Sequence, residues 1–275
     1  MSQDRDGVYL PGDAPNIYES TGWANAGWYD EGQHGGALAA LVAGHVEEQV
    51  RTLAPMQVSR LTVEISRVVP LVPLRIETEV VREGKRIQIV QAHVYDPFDV
   101  LLSTAVVQRL RVADLPLPAD ASPPPLELTA PEQIELRETE AWGVGEEGKR
   151  MFHRGAIEIK EIYGGFDIKG PGAVWSRLTM PIVAGTETTP LQRVVSIADF
   201  PNGVSRALDF RQWVFMNPDL TIHLSRYPEG EWIALDARSA YGHLGRGVAT
   251  GTLWDTTGWV GRTTQSLYLD RPPGV

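Results

Sequence analysis

The sequence repeats itself at one fixed offset, and this repeat constrains the fold more than any other feature. Leu61–Arg67 (LTVEISR) and Leu220–Arg226 (LTIHLSR) lie 159 positions apart and share four identities and two aliphatic exchanges. Asp96 and Asp255 correspond at the same offset, which holds without a gap over more than forty positions. This pattern indicates one unit used twice, and because two copies are too few for a solenoid, we expect two similar half-domains that pack together.

The first copy is predicted to combine one helix with four strands. Residues 33–48 are rich in Ala, Leu and Gly, and small apolar residues lie on nearly every side of the predicted helix, which is typical of a buried one. The chain after Val58 is rich in β-branched residues and has turns at Glu83–Gly84 and Asp96–Pro97. We expect an antiparallel sheet around the helix, with strands at residues 58–69, 74–82, 87–95 and 100–112.

The second copy repeats this order of helix and strands. Thr189, Pro190 and Gln192 are typical of a helix start, with Thr at the N-cap, Pro in the first turn and Gln at the third position of a capping box. Pro201–Gly203 is expected to stop this helix. The predicted strands cover residues 155–163, 173–183, 217–226, 231–240, 247–255 and 258–269.

A proline-rich segment separates the two copies. Residues 113–135 contain six prolines among Asp, Glu and Ala, and that density can sustain neither a helix nor a central strand. We therefore predict an N-terminal half-domain at residues 1–112, a stiff linker at 113–139 and a C-terminal half-domain at 140–275.

Composition excludes several classes of partner and site. The formal charge of −10 argues against nucleic acid or an anionic membrane as the main partner. No run reaches about 18 apolar residues, so no membrane span is expected, and a cytoplasmic protein is the default. The chain has no cysteine, and its six histidines lack metal-ligand spacing, so we expect no metal site.

Landmarks in the second copy resemble the acyl-CoA thioesterase II family. In the first copy, Gln33–Gly36 resembles the Gly-Gly entry into the first helix of that family. The resemblance implies an α+β fold, the double hotdog, in which two repeats each have a long central helix wrapped by an antiparallel β-sheet. The resembling residues of the second copy are Ala198–Phe200, Asp219, Arg226, Glu231–Trp232, Gly245–Gly247 and Gly261–Gln265.

The resemblance also implies a reaction and a set of catalytic residues. Members of the family hydrolyse acyl-CoA without a covalent intermediate, using a water held by an Asp, a Ser or Thr, and a Gln. Asp199 matches the Asp and Gln265 matches the Gln, whereas the hydroxyl position falls on Asn217, where this chain departs from the family pattern. Coenzyme A is then part of the substrate, no separate cofactor is required, and a homodimer is expected.

Thioester hydrolysis requires an oriented water, a base and donors for the oxyanion. Asn217 and Gln265 cannot take a proton at neutral pH, but their amides can fix the orientation of a water. The backbone N–H groups of Gly35 and Gly36 are candidates for the oxyanion, because a helix start without Cβ atoms admits close approach. His34 is expected to line the same site and contact substrate.

The internal repeat gives an independent view of the predicted trio. At the 159-residue offset, the first-copy counterparts of Asp199, Asn217 and Gln265 are Ala40, Val58 and Val106, respectively. All three counterparts are apolar, which favours one hydrolytic centre per chain.

Other interpretations of the same residues stay open at this point. A hotdog hydratase or dehydratase would need a paired Asp and His near the helix start, and Asp199 has no His within several residues in the sequence. A non-catalytic acyl-CoA binder is the second alternative, because Asn217 replaces the hydroxyl of the family. A duplicated β-barrel lipid carrier is a third, against which the Ala- and Gly-rich helix argues.

Two short motifs are interpreted without a catalytic role. Gly143–Gly148 matches the letters of a dinucleotide fingerprint, but no suitable strand precedes it, so it is predicted to be a loop. The basic cluster Lys149–Arg154 is interpreted as a solvated surface run, with steering of coenzyme A phosphates as the alternative.

Overall fold

The fold is described from a computed structural model, which covers residues 7–26, 32–121, 123, 125–136 and 150–272. The predicted loop Gly143–Gly148, the end of the predicted linker and Lys149 lie outside the described residues. Among the helices of the described ranges, none is long and apolar enough to cross a membrane.

The described chain contains three α-helices and a series of strands. The helices are α1 (Gly35–Gln49), α2 (Pro190–Ala198) and α3 (Pro201–Val204). The strands are β1 (Tyr9–Pro11), β2 (Ile17–Ser20), β3 (Met56–Ile65), β4 (Leu74–Arg82), β5 (Ile87–Tyr95), β6 (Leu101–Arg111), β7 (Ile157–Tyr163), β8 (Gly172–Leu178), β9 (Val214–Met216), β10 (Asp219–Leu224), β11 (Ile233–Gly242), β12 (Arg246–Asp255) and β13 (Gly258–Asp270).

These strands form one antiparallel sheet that runs through both copies. The order is β1-β2-β4-β5-β6-β3-β10-β13-β12-β11-β8-β7, and β9 pairs separately with β13. The copies meet where β3 pairs with β10, and there Thr62 lies opposite Thr221 with the two hydroxyl oxygens 3.3 Å apart. Because these two threonines correspond at the 159-residue offset, the approximate two-fold relation between the copies passes between them.

The meander strands of the two copies follow the predicted repeat closely. β4, β5 and β6 correspond to β11, β12 and β13 at the same offset, within two residues at their starts. The largest difference from the predicted bounds is in the segment 173–183, where β8 ends at Leu178. The shared periodicity of the sequence therefore reflects a shared strand arrangement.

The buried helix predicted for the first copy is present as α1. Its 15 residues pack against β3 to β6 and against α2, and Ala39, Ala40 and Leu41 on successive sides are completely inaccessible. A helix that is apolar on every side is stable only when surrounded in this way.

The expectation of a long central helix in both copies is wrong for the second copy. α2 has nine residues and stops at Ala198, and α3 begins at Pro201. Pro201 has no amide hydrogen, so it cannot donate to the carbonyl one turn earlier as a continuous helix requires. Pro201–Gly203 was predicted to stop the helix, but it instead opens the short helix α3 after a break at Asp199 and Phe200.

α1 and α2 pack antiparallel, with the start of α1 against the end of α2. A Cβ added to Gly36 would lie 2.5 Å from the Ser196 carbonyl oxygen, so the two backbones come unusually close there. The N-caps of the helices, His34 and Thr189, are 155 positions apart rather than 159. When the two helices are aligned at their starts, the residue of the first copy that corresponds to Asp199 is Gly44. The counterpart expected from the 159-residue offset, Ala40, is therefore wrong.

Candidate active site

Asp199 is held at the end of α2 by hydrogen bonds from two amide side chains. It is the C-cap residue of the helix and only 7% exposed. Its Oδ1 accepts hydrogen bonds from Asn217 Nδ2 at 2.8 Å and from Gln265 Nε2 at 2.7 Å. The structure thus brings together the three side chains that the sequence predicts to be catalytic.

Gln265 reaches Asp199 because of the strict alternation along β13. Thr263 and Gln265 face the interior, and their neighbours Arg262, Thr264 and Ser266 face solvent. Gln265 Nε2 also donates to the Asp199 carbonyl at 3.0 Å, and Thr263 Oγ1 donates to the Ala198 carbonyl at 2.7 Å. The strand therefore fixes the last turn of α2 together with its terminal carboxylate.

Asn217 lies between β9 and β10, immediately before Pro218. Its Nδ2 donates to Asp199 Oδ1 and, at 3.3 Å, to the Asp219 carbonyl. Both amide hydrogens are thereby used, and Oδ1 is the atom left to accept a hydrogen bond from water or substrate. The amide thus supplies an acceptor at the position where the family resemblance implies a hydroxyl.

His34 contacts the same carboxylate from the first copy. It is the N-cap of α1, and its Nδ1 lies 3.1 Å from Asp199 Oδ2. Phe152 and Phe200 pack around the imidazole, with ring centroids 5.2 and 4.9 Å from that of His34. Asp199 thus has a histidine partner in space although it has none nearby in the sequence, and the sequence argument against a hydratase is wrong.

His34 Nδ1 can serve only one of its two neighbours at a time. As an acceptor it caps the amide of Gly36 at 3.0 Å, but its lone pair then faces the carboxylate. As an N–H it donates to Asp199 Oδ2, and the amide of Gly36 is then released. His34 Nδ1 therefore lies within hydrogen-bond distance of both the carboxylate and a backbone donor at the start of α1.

The glycines at the start of α1 make this contact possible. A Cβ on Gly35 would lie 2.8 Å from Asp199 Oδ2, and one on Gly36 would meet the backbone of α2. Any larger side chain at Gly35 would displace the carboxylate. The amide of Gly36, predicted to bind an oxyanion, donates to His34 Nδ1 in the structure.

A cavity of about 300 Å³ opens onto this cluster and is lined by residues of both copies. The polar part of the wall includes His34, Asp199 and Asn217. Gln265 is completely buried and is not among the lining residues, so it acts on Asp199 rather than on a bound molecule. The apolar part of the wall includes Ile65, Val68, Val69, Phe200, Met216 and Pro218.

His153 is a lining residue that the sequence analysis did not identify. Burial lowers its pKa to about 3, with smaller contributions from the charges of His34 and Arg154, so the ring is neutral at physiological pH. Phe152 and His153 are buried in a single π-helical turn, and the guanidinium of Arg150 lies 5.3 Å from the Trp23 ring centroid. The interpretation of this cluster as a solvated run is therefore wrong for these residues, whose charge pattern gave no signal of burial.

No group of three His, Asp or Glu side chains that could hold a metal ion occurs within the described ranges. The polar atoms around Asp199 are amides and one imidazole, a set suited to orienting a carboxylate and a water.

Two family models match the sequence and together span most of it. Residues 24–108 match the acyl-CoA thioesterase N-terminal domain, and residues 127–269 match the acyl-CoA thioesterase C-terminal domain. No curated protein matches the sequence significantly.

Several solved structures resemble the fold over nearly the whole chain. A conserved protein of unknown function with hot dog fold from Alicyclobacillus acidocaldarius has a TM-score of 0.72 and 18% identity, with 99% of each chain covered. An acyl-CoA thioesterase II from Mycobacterium marinum has a TM-score of 0.64 and 14% identity, covering 98% of this chain and 97% of its own. A TesB protein from Mycobacterium avium subspecies paratuberculosis has a TM-score of 0.66 and 14% identity, covering 96% and 95%. At these identities the likeness establishes the hotdog fold alone.

Proposed function

This chain belongs to the acyl-CoA thioesterase family, and we propose that it hydrolyses fatty or related acyl-CoA to the free acid and coenzyme A, with Asp199 as general base. The observation that carries the proposal is the asymmetric environment of this carboxylate. Two amide donors fix Oδ1, while Oδ2 faces His34 in the wall of a cavity.

Hydrolysis begins with a water that donates a hydrogen bond to Asp199 Oδ2. Asn217 Oδ1 accepts the second hydrogen of this water, so its lone pair is directed toward the thioester carbonyl carbon. Asp199 takes the first proton as the C–O bond forms, and no covalent enzyme intermediate is needed. In this scheme Gln265 is a positioning residue, because it holds the carboxylate without reaching the cavity.

The oxyanion of the tetrahedral intermediate is stabilised at the start of α1. The amide of Gly35 lies at this helix terminus, where backbone N–H groups lack acceptors within the helix. The amide of Gly36 is buried and donates to His34 Nδ1, so in this scheme the Gly35 amide is the donor that faces the cavity. Collapse of the intermediate breaks the C–S bond, and the thiolate takes the proton that Asp199 received from water.

The cavity suits an acyl thioester because an apolar wall adjoins the polar cluster. Ile65, Val69 and Met216 supply apolar contacts for an acyl chain. Coenzyme A enters and leaves as part of the substrate, and the proposal includes no metal or separate cofactor. We also propose that the protein is cytoplasmic and forms a homodimer.

Thiol release from a panel of acyl-CoAs of different chain length tests the proposal. The native protein is expected to release thiol from at least one chain length, and Asp199→Ala is expected to lose this activity while keeping the native circular dichroism spectrum. Absence of turnover on the whole panel, with acyl-CoA binding retained, would establish the non-catalytic binder instead.

A second candidate is hydration of α,β-unsaturated acyl-CoA, which the contact between His34 and Asp199 favours. An imidazole and a carboxylate can together deliver a hydroxyl to one carbon and a proton to its neighbour. The two reactions separate cleanly in one experiment on an enoyl-CoA. Hydration removes the conjugated ultraviolet absorbance without releasing thiol, whereas hydrolysis releases thiol from saturated and unsaturated substrates alike.

A further inference from the structure

The repeat contains an arginine that is used differently in its two copies. Arg67 and Arg226 are the last residues of the two matching segments and correspond at the 159-residue offset. Arg226 forms a paired interaction with Asp255, with N–O distances of 2.5 and 2.7 Å. In the second copy, this arginine therefore ties the end of β10 to the turn between β12 and β13.

The first copy retains the corresponding carboxylate but does not pair it with the arginine. Asp96 Oδ1 accepts hydrogen bonds from the amides of Phe98 and Val100 at 2.8 and 2.9 Å and closes its own turn. Within the described part of the chain, Arg67 has neither an ion pair nor a side-chain hydrogen bond. The guanidinium of Arg67 therefore does not form the turn-binding ion pair that Arg226 forms with Asp255.

Arg67 lies at the cavity instead. It follows the end of β3, where the amide of Ile65 donates to the Pro218 carbonyl at 2.7 Å, so this end of the strand lies beside Asn217. Arg67 is exposed and lines the cavity together with Val68, which is 48% exposed. The described lining contains one carboxylate, Asp199, and its oxygens already face His34, Asn217 and Gln265.

We propose that Arg67 forms an anion subsite at the mouth of the cavity, which binds a phosphate or carboxylate of the thioester substrate. This inference rests on the proposed function and specifies how that site holds its substrate. A guanidinium binds either anion through two parallel hydrogen bonds, and it keeps its charge at all physiological pH values. In a chain with net charge −10, a free cation at a cavity mouth also attracts an anionic substrate locally.

Two sources of the anion fit this chemistry, and substrate fragments distinguish them. The first source is a phosphate of the coenzyme A carrier, and the second is a carboxylate at the far end of a dicarboxylic acyl group. An N-acetylcysteamine thioester of a saturated acid has neither anion. Its succinyl counterpart has the carboxylate but no phosphate.

The test compares Arg67→Gln with the native protein on acyl-CoA and on both N-acetylcysteamine thioesters. If the anion is a phosphate, the KM for acyl-CoA rises about tenfold or more, while the values for the two fragments stay within twofold. If it is the acyl carboxylate, the KM rises for the succinyl fragment alone. Arg82→Gln, which removes an exposed arginine at the end of β4, is the matched control and is expected to change none of these values.

Binding measurements keep the test independent of turnover. Non-hydrolysable thioethers of acyl-CoA and of the succinyl fragment are titrated calorimetrically into the native protein and into Arg67→Gln. Equal affinities of the two proteins for both thioethers, with normal thiol release by the native protein, would overturn the anion subsite and leave the hydrolase standing. No thiol release by the native protein, with tenfold weaker thioether binding by Arg67→Gln, would overturn the hydrolase and leave the subsite standing.

Discussion

At each end of the α1–α2 pair, the N-cap residue of one helix contacts a carboxylate from the other copy. The surroundings of the two carboxylates differ. At one end, His34 of α1 meets Asp199 after α2, and a cavity opens beside them. At the other, Thr189 of α2 donates to Glu47 of α1 at 2.7 Å, and Tyr227 donates to the second carboxylate oxygen at 2.7 Å. We refer to these as the open end and the closed end.

The two carboxylates differ in the kind of group that contacts their oxygens. At the closed end both oxygens of Glu47 accept from hydroxyl groups, and Tyr227 also accepts from the amide of Val58 at 3.0 Å. Burial, together with the charge of Glu47, raises the pKa of Tyr227, so its proton stays in place. At the open end the third partner of the carboxylate is the imidazole of His34, which adjoins the cavity.

Among substitutions that leave both carboxylates in place, Gln265→Leu is expected to have the largest effect. The change removes a donor to the Asp199 carboxylate and one to its carbonyl from a fully buried position. Hydrogen bonds to a charged group are each worth about 1.5–3 kcal/mol, so kcat for thiol release should fall about 100-fold and the melting temperature should also fall. Val107→Leu, at the structurally corresponding position of the first copy, is the control and should retain activity, because Val107 pairs with Val90 as Gln265 pairs with Ala249. Native turnover by Gln265→Leu would mean that the carboxylate needs no such support.

Glycine substitutions on α1 should separate the two ends. Gly35→Ala places a Cβ against Asp199 Oδ2, and because small misplacements of a reacting group can cost about 100-fold, a loss of tens of fold in kcat is expected. Gly44→Ala displaces the side chain of Gln192, which forms the capping box with Thr189, so it should cost about 1 kcal/mol of stability without loss of kcat. Steady-state kinetics and thermal unfolding of both variants test this pattern, and equal effects on kcat would contradict it.

Substitutions of Asn217 should have a smaller effect on turnover. Asn217→Leu removes one of the two donors to Asp199 Oδ1 and should lower kcat about tenfold. Asn217→Ser introduces the hydroxyl that the family resemblance implies at this position and should stay within about threefold of the native kcat. If the serine variant were as slow as the leucine variant, the position would be needed for the shape of an amide rather than for its hydrogen bonds.

The smallest expected effect is on acid stability, to which one histidine in each copy contributes. Burial lowers the pKa of His45 to about 4 and that of His153 to about 3, below the usual value of 6.5. The unfolded chain therefore binds protons that the folded chain excludes, so stability is full above about pH 6.5 and falls as the pH drops toward 4. The melting temperature should decline over this range, and His45→Gln should make the decline less steep. An unchanged slope would show that His45 is charged in the folded chain.

Much of the fold could be predicted because the strand pattern is local and occurs twice. The segments around Leu61 and Leu220 pair with each other in the centre of the sheet, and the Asp96 and Asp255 turns also correspond. The broken second helix was not predicted, because the sequence places Pro201 at a stop and does not show that the chain resumes as α3.

The part of the site that lies within the second copy could be predicted from the sequence. Asp199, Asn217 and Gln265 converge as the family resemblance implies, although their catalytic roles remain predictions. The contact of His34 with Asp199 depends on how α1 packs against α2, which the 159-residue offset does not describe. Packing between the copies, rather than any local pattern, therefore brings the imidazole to the carboxylate.

The central claim is that the carboxylate of the open end, and not that of the closed end, activates water for thioester hydrolysis. The most direct measurement is kcat/KM for thiol release by Asp199→Asn and Glu47→Gln, with thermal unfolding of both. We expect Asp199→Asn to lose about 100- to 10,000-fold in kcat/KM while remaining folded, because it removes the general base. Glu47→Gln should keep kcat/KM within about threefold and lose about 1–3 kcal/mol of stability. Native turnover by Asp199→Asn, or an equal loss in Glu47→Gln, would contradict the claim.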